Sequence, residues 1–141
     1  MTKPYSVKFE PNIPIVLRDG TTTYADIFRP DVDGKFPGLL HRTPYDKRSA
    51  QSTIGDIDAI HAAMEGYAVV IQDIRGRMLS DGEFYTFVNE IDDGYDSVEW
   101  VATQPWCSGK VGMYGTSYVG ATQWLAAIAK PPSLVAIAPG V

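Results

Sequence analysis

Residues 113–124, MYGTSYVGATQW, hold a serine in a setting that suits covalent catalysis. A short apolar segment leads to Gly115 and then to Ser117, and a helix-like segment follows. A serine at a sharp strand-to-helix turn exposes its hydroxyl, and the free N–H groups of the helix point to where an oxyanion would form. Gly115 meets the need for a small residue beside such a strained turn.

The usual form of this turn is G-x-S-x-G, and the chain departs from it. Position 119 is valine, and the second glycine is Gly120. A G-x-S triple also arises by chance, and a serine that caps a helix after any strand has a similar local sequence. The pattern alone therefore leaves two interpretations of Ser117 open, a catalytic nucleophile and a helix N-cap.

The elements before this serine begin with β-structure. Two strand-like runs flank a turn signal at Asp19 and Gly20, and the second run, residues 22–28, alternates as a hairpin strand with one face in water does. A short apolar strand follows and ends at Thr43 and Pro44, because proline interrupts strand pairing.

The rest of the chain alternates between helices and strands. Apolar residues recur at helical spacing in residues 52–66, 89–104 and 117–130, and continuous apolar runs typical of buried strands occupy residues 67–73, 110–115 and 134–139. This alternation implies parallel strands joined by right-handed crossovers. We therefore predict an α/β fold with a doubly wound, mostly parallel sheet and an N-terminal antiparallel hairpin.

Length, charge and composition limit the class of protein to which the chain can belong. The 141 residues fit one domain, and a net charge of -5 without a basic run argues against nucleic acid and anionic membranes as partners. Neither a signal peptide nor an apolar run of about 18 residues is visible, so we predict a soluble cytoplasmic protein. The single cysteine, Cys107, and the three tryptophans are expected in the core.

Other polar residues have structural and functional interpretations. Asp73 and Arg75 end a predicted strand, where they either contact substrate or form an ion pair that holds the loop, the commoner arrangement. An acidic group opens the second predicted helix, where it suits a metal ion, a substrate amine or, more typically, the helix dipole. Its members are Glu90, Asp92, Asp93 and Asp96. No phosphate-binding glycine motif occurs, which disfavours a nucleotide-binding domain.

A serine nucleophile needs a base to accept its proton, and an acid to orient that base. In α/β-hydrolases both follow the serine in sequence, yet residues 118–141 contain no Asp, Glu or His. His41 and His61 are the two histidines, and both precede Ser117. Each histidine has two interpretations: the catalytic base or, more commonly, an ordinary packed or surface histidine.

Several segments together resemble one family of serine hydrolases. GTSYVG after KVGMY is similar to the G-x-S-Y-x-G turn of the cocaine esterase and X-prolyl dipeptidyl-peptidase family, which includes α-amino acid ester hydrolases and glutaryl cephalosporin acylases. That family carries its second glycine at the later position. Three longer blocks resemble the family in the same order: PIVLRDGTTTYADIFRPDVDGKFPGLLHRTPYDK, GYAVVIQDIRGRMLSDGEF and WVATQPWCSGKVGMYGTSYVGATQWLAA.

The resemblance implies roles for three residues. Ser117 would be the acylated nucleophile, while the Tyr45 hydroxyl and the Tyr118 backbone N–H would donate hydrogen bonds to the oxyanion. The implied substrates are small-molecule acyl esters, α-amino acid esters, β-lactam side-chain amides or X-Pro peptides, and neither a cofactor nor a metal is implied. Without the resemblance, Tyr45 would be interpreted as a partly buried tyrosine in a turn.

The resemblance also implies that residues 1–141 represent only part of the family's architecture. They would form the N-terminal portion of an α/β-hydrolase domain, with the sheet incomplete on its C-terminal side and the cap and β-sandwich domains absent. The alternative to an active hydrolase is then a catalytically incomplete half-domain, a truncated product or an interaction module that needs a complementing chain. An open edge on the last strand would favour self-association.

Overall fold

The chain begins with a hairpin and continues as alternating helices and strands. This computed structural model describes residues 3–141. The strands are β1 (Val7–Val16), β2 (Thr22–Pro30), β3 (Phe36–Thr43), β4 (Ala68–Asp73), β5 (Cys107–Thr116) and β6 (Leu134–Gly140). The helices are α1 (Ala59–Met64), α2 (Glu90–Ala102) and α3 (Tyr118–Ile128), and a π-helical turn spans Gln51–Gly55. None of the helices from residue 3 onward is both long and apolar enough to cross a lipid bilayer.

The six strands of this described part form one mixed sheet in the order β1-β2-β4-β3-β5-β6. β1 pairs with β2, and β2 with β4, in antiparallel fashion, whereas β3, β4, β5 and β6 run parallel to one another. The predicted α/β fold with an N-terminal antiparallel hairpin is confirmed. Because β3 lies between β4 and β5, the loops after these three strands meet at one edge of the sheet.

The core lies on both faces of this sheet. One cluster packs Leu40, Val70 and Met113 toward α2 and α3, and a smaller one packs Val69 and Tyr114 toward α1. Every residue of β4 is buried, which explains its unbroken apolar run. Cys107 is buried as predicted, whereas Trp124, predicted to be in the core, is 59% exposed on α3.

The prediction that β2 keeps one face in water is wrong. Ala25, Asp26 and Ile27 are consecutive and each is at most 1% exposed. Ala25 and Ile27 belong to the larger core cluster on one face of the sheet. On the other face the Asp26 carboxylate is buried with the Arg48 guanidinium 2.9 Å away. Alternating polarity cannot reveal a buried carboxylate of this kind, since its partner lies 22 residues away.

The prediction of one helix over residues 52–66 is also wrong. The segment divides into the π-helical turn and α1, which begins after Asp58. The Asp58 carboxylate accepts a hydrogen bond from the His61 N–H at 3.0 Å and so caps α1. A side chain that caps a helix satisfies the first backbone N–H groups locally, and this favours a new helix start over continuation.

Candidate active site

Ser117 lies between β5 and α3 in a strained backbone conformation. Its φ of 64° and ψ of −126° fall in a region that residues with a side chain rarely adopt, at a cost of about 1–3 kcal/mol. Hydrogen bonds on both sides hold the turn: Ser117 N–H donates to the Gly140 carbonyl at 3.3 Å, and Gly120 N–H donates to the Ser117 carbonyl at 2.9 Å. The serine is exposed to solvent at the tip of this turn.

The side chain of Ser117 does not cap the helix that it precedes. It accepts no capping hydrogen bond from the first turn of α3, and its Oγ lies 3.3 Å from the Oη of Tyr45. Of the two interpretations that the sequence leaves open, the side-chain N-cap is therefore excluded. A strained, exposed serine whose hydroxyl faces another hydroxyl is instead the arrangement expected of a nucleophile elbow.

Two glycines allow the chain to turn this sharply. Gly115 has a φ of +137°, and a Cβ there would collide with the Val119 side chain. At Gly120 a Cβ would lie 2.5 Å from the Gly140 carbonyl oxygen, where α3 crosses β6. The second glycine therefore stands at 120 because that position meets a backbone, while position 119 can hold a valine that packs against Gly115.

Tyr45 comes from the loop after β3, the strand next to β5. Its N–H donates to Thr43 Oγ1 at 2.9 Å, and Arg77 Nε donates to the Pro44 carbonyl at 2.9 Å. The phenol ring is 39% exposed. The structure thus brings together Tyr45 and Ser117, which are 72 residues apart, at the carboxyl edge of the sheet.

A buried ion pair anchors the Tyr45 loop. Lys47 Nζ lies 2.9 Å from Asp73 Oδ2, and Lys47 N–H donates to Asp73 Oδ1 at 2.7 Å. Both side chains are at most 2% exposed. Asp73, at the end of β4, therefore holds the loop that carries Tyr45. Lysine is almost never buried without a partner, and nothing in the local sequence around Lys47 indicates that burial.

Tyr118 is the first residue of α3. Its backbone N–H has no carbonyl four residues back within the helix, so α3 itself does not use this donor. Its phenol oxygen accepts a hydrogen bond from the Phe87 N–H at 3.0 Å. Burial raises the pKa of the Tyr118 phenol, and the Phe87 N–H partly opposes that effect.

The two histidines are held by contacts other than a hydrogen bond to the serine hydroxyl. His41, on β3, is 1% exposed and packs against the Tyr114 ring at a centroid distance of 4.9 Å. Burial lowers the pKa of His41 to about 4, so its ring is neutral at pH 7. His61 is exposed on α1, where its Nδ1 lies 2.8 Å from Asp58. Within residues 3–141 neither ring is hydrogen-bonded to Ser117 Oγ.

The acidic residues weighed as ligands are paired with arginines. Four pairs hold α2 to its surroundings: Arg42–Glu90 at 3.5 Å, Arg75–Asp93 at 2.8 Å, Arg18–Asp96 at 2.8 Å and Arg18–Asp92 at 3.3 Å. Asp73 and Arg75 both form structural ion pairs, though with Lys47 and with Asp93 and Asp19 rather than with each other. In the described part of the chain no group of three His, Cys, Asp or Glu side chains is arranged to hold a metal ion.

The chain is similar to known proteins over most of its length. Residues 19–141 match the family described as X-Pro dipeptidyl-peptidase (S15 family). The chain is 45% identical over 135 residues to the cocaine esterase of Rhodococcus sp. (strain MB1 Bresler), a match that covers 92% of this chain and 23% of that protein.

Solved structures show the same relationship. A CocE/NonD family hydrolase from Staphylococcus aureus superposes with a TM-score of 0.84 at 30% identity, covering 92% of this chain and 27% of that one. An α-amino acid ester hydrolase superposes with a TM-score of 0.79 at 27% identity, covering 97% and 26% of the two chains. The 141 residues therefore span about a quarter of the length of these relatives.

Proposed function

The chain belongs to the X-Pro dipeptidyl-peptidase (S15) family of hydrolases, and from this premise we propose that it supplies the nucleophile and the oxyanion hole of a serine hydrolase. The observation that supports the proposal best is the strained Ser117, whose Oγ faces the Tyr45 hydroxyl at 3.3 Å. The family is described by an X-Pro dipeptidyl-peptidase, and two relatives are named as an esterase and an ester hydrolase, so we propose a carboxylic ester or amide as the substrate.

The proposed reaction begins with attack on the substrate's acyl carbon. Ser117 Oγ forms a bond to this carbon, the carbonyl electron pair moves onto oxygen, and the serine proton passes to a base. The Tyr45 hydroxyl and the Tyr118 N–H then donate to the oxyanion, and each such donor typically contributes about 3 kcal/mol. The alcohol or amine leaves with a proton, and water hydrolyses the acyl-enzyme.

We propose that the base and its orienting acid come from outside residues 1–141. Residues 118–141 contain no Asp, Glu or His, and within residues 3–141 neither His41 nor His61 is hydrogen-bonded to Ser117 Oγ. Without a base the serine hydroxyl is a weak nucleophile. The 141 residues on their own would then be a catalytically incomplete part that needs a further segment or a complementing chain.

A chimera tests this proposal directly. The 141 residues would replace the matching part, about a quarter, of the Rhodococcus cocaine esterase, to which they are 45% identical over 135 residues. A fluorophosphonate probe, followed by mass spectrometry, would locate any adduct. We expect stoichiometric labelling of Ser117 in the chimera, loss of labelling in Ser117→Ala, and labelling at least about 10³-fold slower in the isolated chain.

The outcomes separate the two parts of the proposal. Rapid labelling of Ser117 in the isolated chain would support Ser117 as the nucleophile and contradict the proposal that the base comes from outside residues 1–141. A folded chimera that carries no adduct on Ser117 would contradict the nucleophile itself. Circular dichroism of each sample shows whether it is folded.

A further inference from the structure

Gln123 is a buried amide on α3, close to the strained turn that carries Ser117. Its side chain is 0% exposed. Its Nε2 group donates two hydrogen bonds, to the Gly115 carbonyl at 3.0 Å and to the Val119 carbonyl at 2.9 Å. Its Oε1 accepts a third hydrogen bond, from the Ala138 N–H at 2.8 Å. One side chain therefore joins β5, the first turn of α3 and β6.

The two carbonyls that share the Nε2 group stand on opposite sides of the turn. Gly115 is two residues before Ser117, and Val119 is two residues after it. A single nitrogen thus closes the base of the loop formed by residues 115–119, whose tip is the serine. We call this pair of hydrogen bonds the Gln123 bridge. A strained backbone conformation persists only where the surrounding structure holds it, and the bridge holds both ends of this one.

The third hydrogen bond ties the bridge to the neighbouring strand. Gly115 is paired with Pro139 of β6, and proline has no N–H to donate. At this point the Gln123 amide donates to the Gly115 carbonyl and accepts from Ala138, the residue before the proline. Only a side-chain amide offers two N–H donors and a carbonyl acceptor together, so neither a carboxylate nor an apolar side chain can replace it.

We propose that Gln123 is a positioning residue, which bridges the two ends of the turn and so holds Ser117 Oγ opposite the Tyr45 hydroxyl. The amide acts through the backbone of the turn and not on the reacting atoms. Its effect on acylation rests on the proposed function, whereas its effect on the strain at Ser117 does not. A displacement of about 1 Å can lower a reaction rate about 100-fold, so loss of the bridge should slow acylation.

Gln123→Met tests the strain in the 141-residue chain. Methionine fills a similar volume and suits a helix, but it makes none of the three hydrogen bonds. While the bridge holds the turn, Ser117→Gly should unfold at a higher urea concentration than Ser117→Ala. In the Gln123→Met background the turn can relax, and this difference between the two midpoints should disappear. A difference of the same size in both backgrounds would overturn the bridge.

The same variant in the esterase chimera tests the effect on the nucleophile. The rate of fluorophosphonate labelling, measured against probe concentration, gives a limiting rate and a half-saturating concentration. We expect Gln123→Met to lower the limiting rate about 100-fold and to leave the half-saturating concentration unchanged. Gln123→Glu keeps the acceptor for Ala138 N–H but loses both donors, so it should have the same effect. It provides the second test, in the chain and in the chimera, if the methionine variant does not fold.

Two controls separate positioning from a general loss of stability. Gln72 is also 0% exposed and makes three side-chain hydrogen bonds, all of them to residues outside the turn. Thr122 Oγ1 donates to the Val119 carbonyl at 3.0 Å, on one side of the turn, and so does not bridge it. Gln72→Met and Thr122→Val should lower the urea midpoint and keep both the limiting rate and the strain at Ser117.

A folded Gln123→Met chimera that is labelled as fast as the Gln72→Met chimera would overturn the positioning role. The failure of the proposed function has a different signature. If the parent chimera carries no adduct on Ser117, the hydrolase proposal fails, and the urea comparison in the 141-residue chain still decides whether the bridge holds the turn. If the parent chimera is labelled and Gln123→Met changes neither the rate nor the strain, the bridge alone fails.

Discussion

The hydroxyl oxygens of Tyr45 and Ser117 lie 3.3 Å apart although 72 residues separate them in the chain. They meet because β3 and β5 are parallel neighbours, so the loops that follow them leave the sheet at the same edge. The tyrosine is held by its own loop, through Thr43, Pro44 and the Lys47–Asp73 pair, and not by the elbow. The proposed oxyanion donor can therefore be removed without disturbing the nucleophile.

Tyr45→Phe removes one proposed donor and leaves the ring. We expect the acylation rate of the chimera to fall about 100-fold, which corresponds to about 3 kcal/mol of transition-state stabilisation. The free energy of unfolding should change little, because the ring is 39% exposed. Stopped-flow measurement of acylation with an activated ester provides the test. Tyr85→Phe is the control, since that phenol donates to Glu83, and equal rates in both variants would contradict the role of Tyr45.

Ser117→Gly should be more stable than Ser117→Ala. Glycine adopts a φ of 64° with a ψ of −126° without the steric cost that alanine shares with serine, so the difference in unfolding free energy should be about 1 kcal/mol. Urea unfolding of the two variants measures it. Equal stabilities would show that the turn carries no strain at Ser117.

Gly120→Ala should open the contact between α3 and β6. The new Cβ would lie 2.5 Å from the Gly140 carbonyl oxygen, a backbone atom that cannot move aside alone. We expect a loss of about 1–3 kcal/mol in unfolding free energy. The control is Gly55→Ala, where the nearest atom lies at 3.7 Å and no positive φ is involved. Similar unfolding midpoints for the two variants would contradict the close approach.

The buried His41 should make stability fall in mild acid. Its pKa drops from the ordinary 6.5 to about 4 because of burial, with the Asp56 charge opposing in part. The contribution of His41 to the free energy of unfolding is present above pH 6.5 and is lost as the pH falls toward 4. Over this range the histidine binds a proton in the unfolded chain and remains neutral in the folded chain. At about 1.4 kcal/mol per pKa unit, the loss amounts to about 3 kcal/mol.

His41→Leu should remove this part of the pH dependence. Neither ring nitrogen has a hydrogen-bond partner within residues 3–141, so an apolar side chain of similar size suits the site at neutral pH. Urea unfolding between pH 4 and pH 7 compares the variant with the parent chain and with His61→Gln, a change at an exposed position. A parent chain and a His41→Leu chain with the same pH profile would contradict the assignment.

Much of the fold follows from local patterns. The apolar run that forms β4, the acidic start of α2 and Gly115, two residues before Ser117, are patterns within a few residues, and each is visible in the printed sequence. The same is true of the G-x-S-x-x-G pattern around Ser117. The split of the predicted helix at Asp58 is local as well, because the Asp58 carboxylate caps α1, but the prediction rested on apolar spacing.

The sequence by itself determined the order of the elements, the α/β class and the position of the candidate nucleophile, because these depend on short-range periodicity and turn chemistry. Only the tertiary structure decided that Lys47 pairs with Asp73, that Arg75 pairs with Asp93, and that Gly120 meets Gly140. It also showed that the Ser117 side chain faces the Tyr45 hydroxyl and does not cap α3. The physical reason is the same in each case: a charge, a Cβ or a hydroxyl interacts with whatever lies within a few ångströms in space, and sheet topology sets that neighbour.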